Sequence, residues 1–184
     1  MTNYTLYDEN SAPEQAQKTL QQAKGKYGFI PNLMATMAES PALVKAYAAI
    51  GQIFEETSFT DIEKQLVLLA VSYENTCDYC MAAHSTIAQM VKMPAPIIEA
   101  LRSGRTIPDK KLEALKQFVT IVVRNRGNVT EDEVEAFLDA GYTRAQMFDV
   151  LAGVGMKTLS NYTNHIADTP LDTAFQPKVW KKVS

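Results

Sequence analysis

Residues 74–84 read Glu74-Asn75-Thr76-Cys77-Asp78-Tyr79-Cys80-Met81-Ala82-Ala83-His84, and they hold both cysteines and one of the two histidines of the 184-residue chain. The next residues, 85–91, keep a helical periodicity and contain no helix breaker, so we predict a turn that leads into a helix. An α-helix advances by about 100° per residue. Cys77, Cys80 and His84 would therefore share one face of the first turns of this helix.

This stretch would bring together the groups that thiol chemistry requires. Two thiols three residues apart at a helix start can form a disulfide with little backbone movement. The free N–H groups and the dipole of a helix N-terminus favour thiolate over thiol. His84, one turn after Cys80, could take a thiol proton directly or through a water. Glu74, three residues before Cys77, could orient the imidazole or relay its proton.

Two other interpretations of the same residues stay open at this point. Paired free cysteines are often small buried apolar residues without any chemistry. Alternatively, Cys77, Cys80, His84 and either a carboxylate or His165 could be four metal ligands. A second pair of ligands at zinc-site spacing is absent from the sequence, which argues against the metal site.

The pattern Cys-x-x-Cys-x-x-x-His after an apolar helix resembles the carboxymuconolactone decarboxylase / alkylhydroperoxidase D-like family. The segments 68–72 and 75–84 resemble its signature helix and turn, and the segment 27–32, Tyr-Gly-Phe-Ile-Pro-Asn, resembles the entry of its peroxidase-related branch. The resemblance covers about residues 12–168. It implies an all-α bundle that assembles into a homo-oligomer.

In proteins of this family the second cysteine is thought to attack a peroxide and the first to resolve it to a disulfide, while a Glu–water–His relay moves the proton. The resemblance therefore implies that Cys80 is peroxidatic, Cys77 resolving and His84 the relay histidine. The family's glutamate commonly lies twelve positions before the first cysteine, where this chain has Gln65. A neutral amide cannot act as a carboxylate base, so Glu74 is the candidate replacement.

These features predict a thiol-dependent peroxidase that reduces hydrogen peroxide or an organic hydroperoxide and is regenerated by an external dithiol reductant. We expect no bound cofactor and no metal. Decarboxylase members of the family lack the cysteine pair, which argues against lactone decarboxylation. A general disulfide oxidoreductase, a metal-binding protein and a non-catalytic helical oligomer are the alternatives.

Composition narrows the class of protein further. A net charge of −3 and a pI near 5.4 provide no basic surface for nucleic acid. No apolar run reaches the roughly 18 residues of a membrane span, and the first residues lack the blocks of a signal peptide. We therefore expect a cytoplasmic protein, in which two close cysteines are more often catalytic or metal-binding than structural.

The rest of the chain predicts one domain, residues 1–184, with a helical core at 12–168 and irregular tails at 1–11 and 169–184. About eight helices are separated by proline, glycine and threonine signals, and no segment alternates as a strand would. Capping boxes begin at Thr60, Thr130 and Thr143. The helix that follows Thr60 is apolar over most of its circumference, so we place it at the domain centre.

A degenerate internal duplication is suggested by two of these helices. Seventeen residues after Thr60 and Thr143 come Cys77 and Ser160, and a tyrosine follows each of these two positions after one intervening residue. The chemistry would then survive only in the first copy.

The pocket beside the dithiol is expected to include Gln65 and Tyr79. The polar cluster 160–165 is either a solvated helix end or a facing helix from which Tyr162 or His165 approaches the pocket.

Overall fold

The computed structural model describes residues 4–182, and the predicted all-α fold is confirmed for them, since they contain no strand. Residues 1–3 and 183–184 of the predicted tails lie outside the described residues. The described residues form nine α-helices followed by one 3-10 helix: α1 Glu14–Tyr27, α2 Asn32–Met37, α3 Pro41–Glu55, α4 Asp61–Glu74, α5 Asp78–Met90, α6 Ala95–Ser103, α7 Lys110–Arg124, α8 Glu131–Asp139, α9 Arg144–Ala167 and the 3-10 helix Thr173–Lys178.

The helices begin where the sequence provides caps. At α4 the Thr60 side chain accepts a hydrogen bond from the Glu63 N–H, and the Glu63 carboxylate accepts one from the Thr60 N–H. The same reciprocal box starts α8 at Thr130 and α9 at Thr143. All three predicted capping boxes are therefore present. Each box provides hydrogen-bond partners for N–H groups that a helix start would otherwise leave unsatisfied.

Helix α4 is the central element of the bundle, as its sequence predicts. Ten consecutive residues, 63–72, are buried, and the helix packs against α5, α7 and α9. Helix α9 approaches α4 closely at Gly153, where a Cβ atom would come 2.7 Å from the Val67 side chain and 3.0 Å from Phe54. This contact holds the middle of α9 against the core and directs the following turns of α9 towards α5.

The C-terminal tail is more ordered than predicted. Residues 173–178 form a 3-10 helix that packs on α5. Trp180 is only 6% exposed, and its indole N–H donates to the Arg102 carbonyl at 2.7 Å. The Arg102 guanidinium in turn donates to the carbonyls of Lys178 and Val179. The tail is thus anchored on its own domain and covers one side of the dithiol helix.

Within residues 4–182, no helix combines the length and the apolar character that crossing a bilayer requires. The internal duplication stays a prediction. Residues 61–90 are two helices joined by a turn, whereas their proposed counterpart lies mostly in the uninterrupted α9.

Candidate active site

The turn between α4 and α5 presents Cys77 to the core. The Cys77 N–H donates to the Ser72 carbonyl at 3.0 Å and the Thr76 N–H donates to Tyr73 at 3.1 Å, which is the hydrogen-bond pattern of a Schellman cap. Thr76 occupies the left-handed position of this cap with φ 54°. Cys77 is consequently the N-cap of α5, which begins at Asp78. This corrects the prediction that both cysteines lie in the first turns of the helix.

Replacing Thr76 with glycine is expected to stabilise the protein by about 1 kcal/mol, because a β-branched residue is strained in the left-handed region and glycine is not. The Thr76 side chain is exposed, so the substitution removes no packing. Urea unfolding of the reduced protein at pH 7 measures the change. Thr76→Ala keeps the unfavourable backbone position and should leave the midpoint nearly unchanged. A glycine variant less stable than the alanine variant would contradict the strain argument.

Both sulfur atoms are buried, unbridged and bound by one side chain of α9. The Asn164 amide nitrogen lies 3.2 Å from the Cys80 sulfur and 3.6 Å from the Cys77 sulfur. The Ser160 hydroxyl lies 3.8 Å from Cys80. The two sulfurs thus meet at one place, although they come from the cap and the first turn of α5. Asn164 is the residue that joins them.

His84 is buried between α4 and α9. Its Nδ1 lies 3.0 Å from Gln65 Oε1, and its Nε2 lies 3.0 Å from Lys157 Nζ. An ammonium can only donate, so Nε2 accepts from Lys157 and the ring proton is assigned to Nδ1, which donates to Gln65. Burial and the neighbouring Lys157 charge hold the pKa of His84 well below its usual value. The imidazole is therefore neutral.

Lys157 is a buried residue of the site that sequence analysis missed. It is fully buried, and it lies beside His84 and Cys80. None of the cation–carboxylate pairs formed within residues 4–182 includes Lys157. An ammonium removed from water needs an anionic or hydrogen-bonded partner. The His84 imidazole and the Cys80 sulfur are the groups beside it that can serve.

The two cysteines ionise differently in this environment. Burial raises the pKa of Cys80. The hydrogen bond with Cys77, the charge of Lys157, and hydrogen bonds with Lys157 and Ser160 outweigh burial and hold that pKa well below its usual value. The hydrogen bond to Cys80 and burial raise the pKa of Cys77 above its usual value. The environment therefore favours the thiolate at Cys80 and the thiol at Cys77.

The polar side of α9 could have been recognised from spacing. Lys157, Ser160, Asn161 and Asn164 follow the i, i+3, i+4, i+7 pattern of one helix face. All four are buried. Of the two alternatives for Tyr162 and His165, the solvated one holds: Tyr162 is 54% exposed, His165 is also exposed, and neither lines the cavity beside the dithiol. Two other members of the cluster, Ser160 and Asn164, face the dithiol.

The predicted relay role of Glu74 is not supported by its position. Its carboxylate accepts hydrogen bonds from Arg124 Nε at 2.7 Å and from a second guanidinium nitrogen at 3.1 Å. The last turn of α4 thus directs Glu74 towards α7, and both ring nitrogens of His84 are bound by other side chains. Gln65, by contrast, does contact the imidazole.

The metal alternative receives no ligand set from the described residues. No group of three or more histidine, cysteine, aspartate or glutamate side chains in residues 4–182 is placed to hold an ion. His165, one of the ligands considered, is exposed on α9.

An apolar cavity of about 430 Å³ ends at these polar groups. Cys80 lines it, whereas Cys77 is not among its lining residues. Its polar end is formed by Gln65, Cys80, His84 and Lys157. The apolar and aromatic wall is formed chiefly by Phe29, Leu33, Met34, Tyr47, Leu68, Tyr79, Ala83, Ile87, Met156 and Phe175. Gln65 and Tyr79, which were expected beside the dithiol, both line this cavity.

Tyr79 connects the cavity wall to the C-terminal tail. Its hydroxyl donates to the buried Asp172 carboxylate and accepts from the Leu33 N–H at 3.3 Å. Its ring packs edge-on against Phe175, with ring centroids 6.1 Å apart. Burial and the Asp172 carboxylate raise the pKa of Tyr79, so it is a neutral hydrogen-bond donor. Tyr79 therefore shapes the cavity and does not exchange protons there.

Comparison with known proteins supports the resemblance found in the sequence. Residues 41–119 match the carboxymuconolactone decarboxylase family. A peroxidase-related protein with an alkylhydroperoxidase AhpD core from Ralstonia eutropha JMP134 superposes with a TM-score of 0.84 at 22% identity, over 94% of this chain and 93% of the other. A peroxidase-related protein from Silicibacter sp. TM1040 gives 0.81 at 20% identity, over 97% and 98%.

A third structure has a different described activity. A cysteine-to-alanine variant of the debrominase Bmp8, in complex with 2,3,4-tribromopyrrole, gives a TM-score of 0.81 at 17% identity, over 97% of this chain and 96% of the other. No curated protein matches the chain. At these identities the structural likenesses show the fold. The predicted resemblance is confirmed: this chain carries the carboxymuconolactone decarboxylase family match at residues 41–119 within an alkylhydroperoxidase D-like fold.

Proposed function

We propose that this protein is a thiol-dependent peroxidase that acts through Cys80 and Cys77. The observation that carries the proposal is a buried, unbridged dithiol in which Cys80 lies at the end of an apolar cavity and the Asn164 amide nitrogen lies 3.2 Å from the Cys80 sulfur and 3.6 Å from the Cys77 sulfur. Thiolate is the nucleophilic form of cysteine. The ionisation of the pair supports Cys80 as the attacking residue and Cys77 as the resolving residue.

The reaction proceeds in two steps. The Cys80 thiolate attacks the terminal oxygen of the hydroperoxide, the O–O bond breaks, and Cys80 becomes a sulfenic acid while the alkoxide takes up a proton. The Cys77 thiol then condenses with the sulfenic acid, forming the disulfide and releasing water. An external dithiol then restores both thiols. A reducing compartment such as the cytoplasm supplies such a dithiol.

The cavity favours an organic hydroperoxide over hydrogen peroxide. Its volume of about 430 Å³ falls in the range of small-molecule sites, roughly 300–1,000 Å³. Its wall is largely apolar and aromatic, so the organic part of a substrate would be desolvated there. Hydrogen peroxide would leave most of this surface without contacts.

A thiol titration tests the proposal. One equivalent of cumene hydroperoxide added to reduced protein should consume both thiols, and mass spectrometry should find a Cys77–Cys80 bridge. With excess dithiothreitol the protein should consume cumene hydroperoxide faster than hydrogen peroxide. Unchanged thiols after exposure to both peroxides would refute the peroxidase proposal.

Reductive dehalogenation is a second candidate, favoured by the aromatic wall and by the likeness to the debrominase. The Cys80 thiolate and Cys77 thiol could convert an aryl bromide to the arene, bromide and the disulfide, with atoms and charge balanced. Bromide release from 2,3,4-tribromopyrrole with dithiothreitol measures it. Release of bromide together with inertness towards both peroxides would favour this candidate over the peroxidase.

We also propose that the protein is a homo-oligomer. Phe148, Leu151, Tyr162 and Ile166 are exposed and lie on one face of α9. Apolar stripes of this kind mark interaction surfaces. Light scattering that finds a monomer at micromolar concentration would contradict this.

A further inference from the structure

Lys157 balances the charge of the dithiol site. Among residues 4–182, the side chains that contact the dithiol, His84 or Lys157 include no carboxylate: Tyr47 from α3, Gln65 from α4, the N-cap Cys77, Cys80 and His84 from α5, and Ser160 and Asn164 from α9. Glu55 also lines the cavity, but its carboxylate pairs with Lys64 at 3.7 Å. The Cys80 thiolate is therefore the only anion among them. A buried cation without a counter-ion is strongly unfavourable, so Lys157 and Cys80 form the ion pair of the reduced site.

Oxidation would break this pair. A Cys77–Cys80 disulfide carries no charge, and an ammonium left at position 157 would be buried without an anion. His84 is a poor acceptor for the surplus proton, because its environment holds it neutral and its Nδ1 proton is bound to Gln65. The charge of Lys157 must consequently change when the dithiol is oxidised.

We propose that Lys157 is the proton donor of the catalytic cycle, delivering its ammonium proton to the group that leaves when Cys80 is oxidised. This rests on the proposed dithiol chemistry. With a hydroperoxide, the thiolate takes the terminal OH, and the departing alkoxide receives the Lys157 proton and leaves as alcohol. Condensation of the sulfenic acid with the Cys77 thiol releases water. The products are a disulfide and a neutral Lys157 amine, so no proton is taken from solution.

Reduction reverses the change. An external dithiol gives two electrons and two protons and becomes a disulfide. One proton returns to Cys77 and the other to Lys157, which again pairs with the Cys80 thiolate. The site is neutral in both states. His84 and Gln65 are positioning residues in this cycle, because Nε2 accepts a hydrogen bond from Lys157 and holds its amine beside Cys80.

A proton count on the unaltered protein tests the inference. Reduced protein at pH 7 in dilute buffer with a pH indicator is oxidised by one equivalent of cumene hydroperoxide. We expect no proton uptake per disulfide formed. If Lys157 kept its proton, converting the thiolate, the thiol and the hydroperoxide to disulfide, alcohol and water would consume one proton from solution. Uptake of one proton would overturn the proposal.

The count must be paired with a measurement of the thiolate, because two un-ionised thiols would also take up no proton. Iodoacetamide alkylation of Cys80, located by mass spectrometry, should be independent of pH between 6 and 8. In Lys157→Met the rate at pH 6 should be lower by at least roughly 300-fold, because a thiol with an ordinary pKa of about 8.5 already gives that factor and burial raises the pKa of Cys80. A wild-type profile that rises with a midpoint near 8.5 would overturn the proposal.

A matched control exists in Lys116, which is buried but pairs with Glu113 and the Arg105 carbonyl away from the dithiol. Lys116→Met should alkylate as wild type does, and a 300-fold loss in this variant as well would refute a specific role for Lys157. If Lys157→Met does not fold, the two wild-type measurements still decide.

An oxidant that is not a peroxide separates the role of Lys157 from peroxidase activity. Diamide also oxidises a dithiol and takes two hydrogens, one from Cys77 and one from Lys157, so zero uptake is again expected. Zero uptake with diamide in a protein inert to hydroperoxides would support the role of Lys157 and reject the peroxidase proposal.

Discussion

Replacing Cys80 with serine is expected to lower the rate of hydroperoxide reduction by at least about 1,000-fold, because a hydroxyl is un-ionised at pH 7 and cannot replace the thiolate. Cys77→Ser should behave differently. Its Cys80 still faces the cavity, so one equivalent of hydroperoxide should be consumed, and the reaction should stop at a sulfenic acid that dimedone traps. Stopped-flow measurement of peroxide loss, followed by mass spectrometry of the Cys80 peptide, distinguishes the two variants.

The difference between the Cys80→Ser and Cys77→Ser variants identifies the cysteine that attacks the hydroperoxide. Cys80 lines the cavity and Cys77 does not, and the pKa of Cys80 is lowered whereas that of Cys77 is raised. Thr86→Ser serves as a control at another side chain that lines the cavity, and it should retain the wild-type rate. If Cys77→Ser were inert and Cys80→Ser reacted stoichiometrically, the assignment of the two cysteines would be reversed.

The local parts of the architecture were predictable because their causes are local. The capping boxes at Thr60, Thr130 and Thr143 need only a side chain three residues after the cap. The joint placement of Cys77, Cys80 and His84 likewise follows from spacing within one turn and one helix. Thr76 is the exception. Its left-handed backbone could not be predicted from the sequence, because glycine is the residue expected at such a position.

The parts of the site that sequence analysis missed come from contacts between distant segments. Lys157 is 73 residues from His84, and Asn164 is 84 residues from Cys80. Which face of α9 meets α5 is decided by its packing on α4, where Gly153 allows close approach. The polar stripe of α9 was visible, but periodicity alone does not tell whether such a stripe faces water or a buried site.

The choice between Glu74 and Gln65 illustrates the same limit. Glu74 is nearer in sequence to the cysteines and ionisable, yet the end of α4 turns it to Arg124. Gln65 is chemically unsuited to be a base, and it contacts the imidazole directly. Its amide has a different effect, since it fixes the ring proton on Nδ1 and leaves Nε2 to accept from Lys157.

Acid is expected to destabilise the protein through His84. The pKa of His84 is lowered in the folded state relative to an unfolded value near 6.5, so below that value the unfolded chain binds a proton that the folded one does not. Stability is therefore lost as pH falls from 7 to 5, by about 2 kcal/mol for this one group. Urea unfolding of reduced protein at the two pH values measures the loss.

The contribution of His84 to this loss of stability can be isolated by comparing variants. The lowered pKa of Cys80 adds a loss of the same sign over the same interval, because the unfolded thiol is protonated there and the folded thiolate is not. His84→Gln keeps that contribution and removes the imidazole, so its loss between pH 7 and 5 should be smaller than that of wild type by about 2 kcal/mol. His165→Asn, at the exposed histidine, should lose as much as wild type. Equal losses in His84→Gln and wild type would mean that the buried ring is protonated in the folded protein, and the neutral Nε2 that accepts from Lys157 would have to be abandoned.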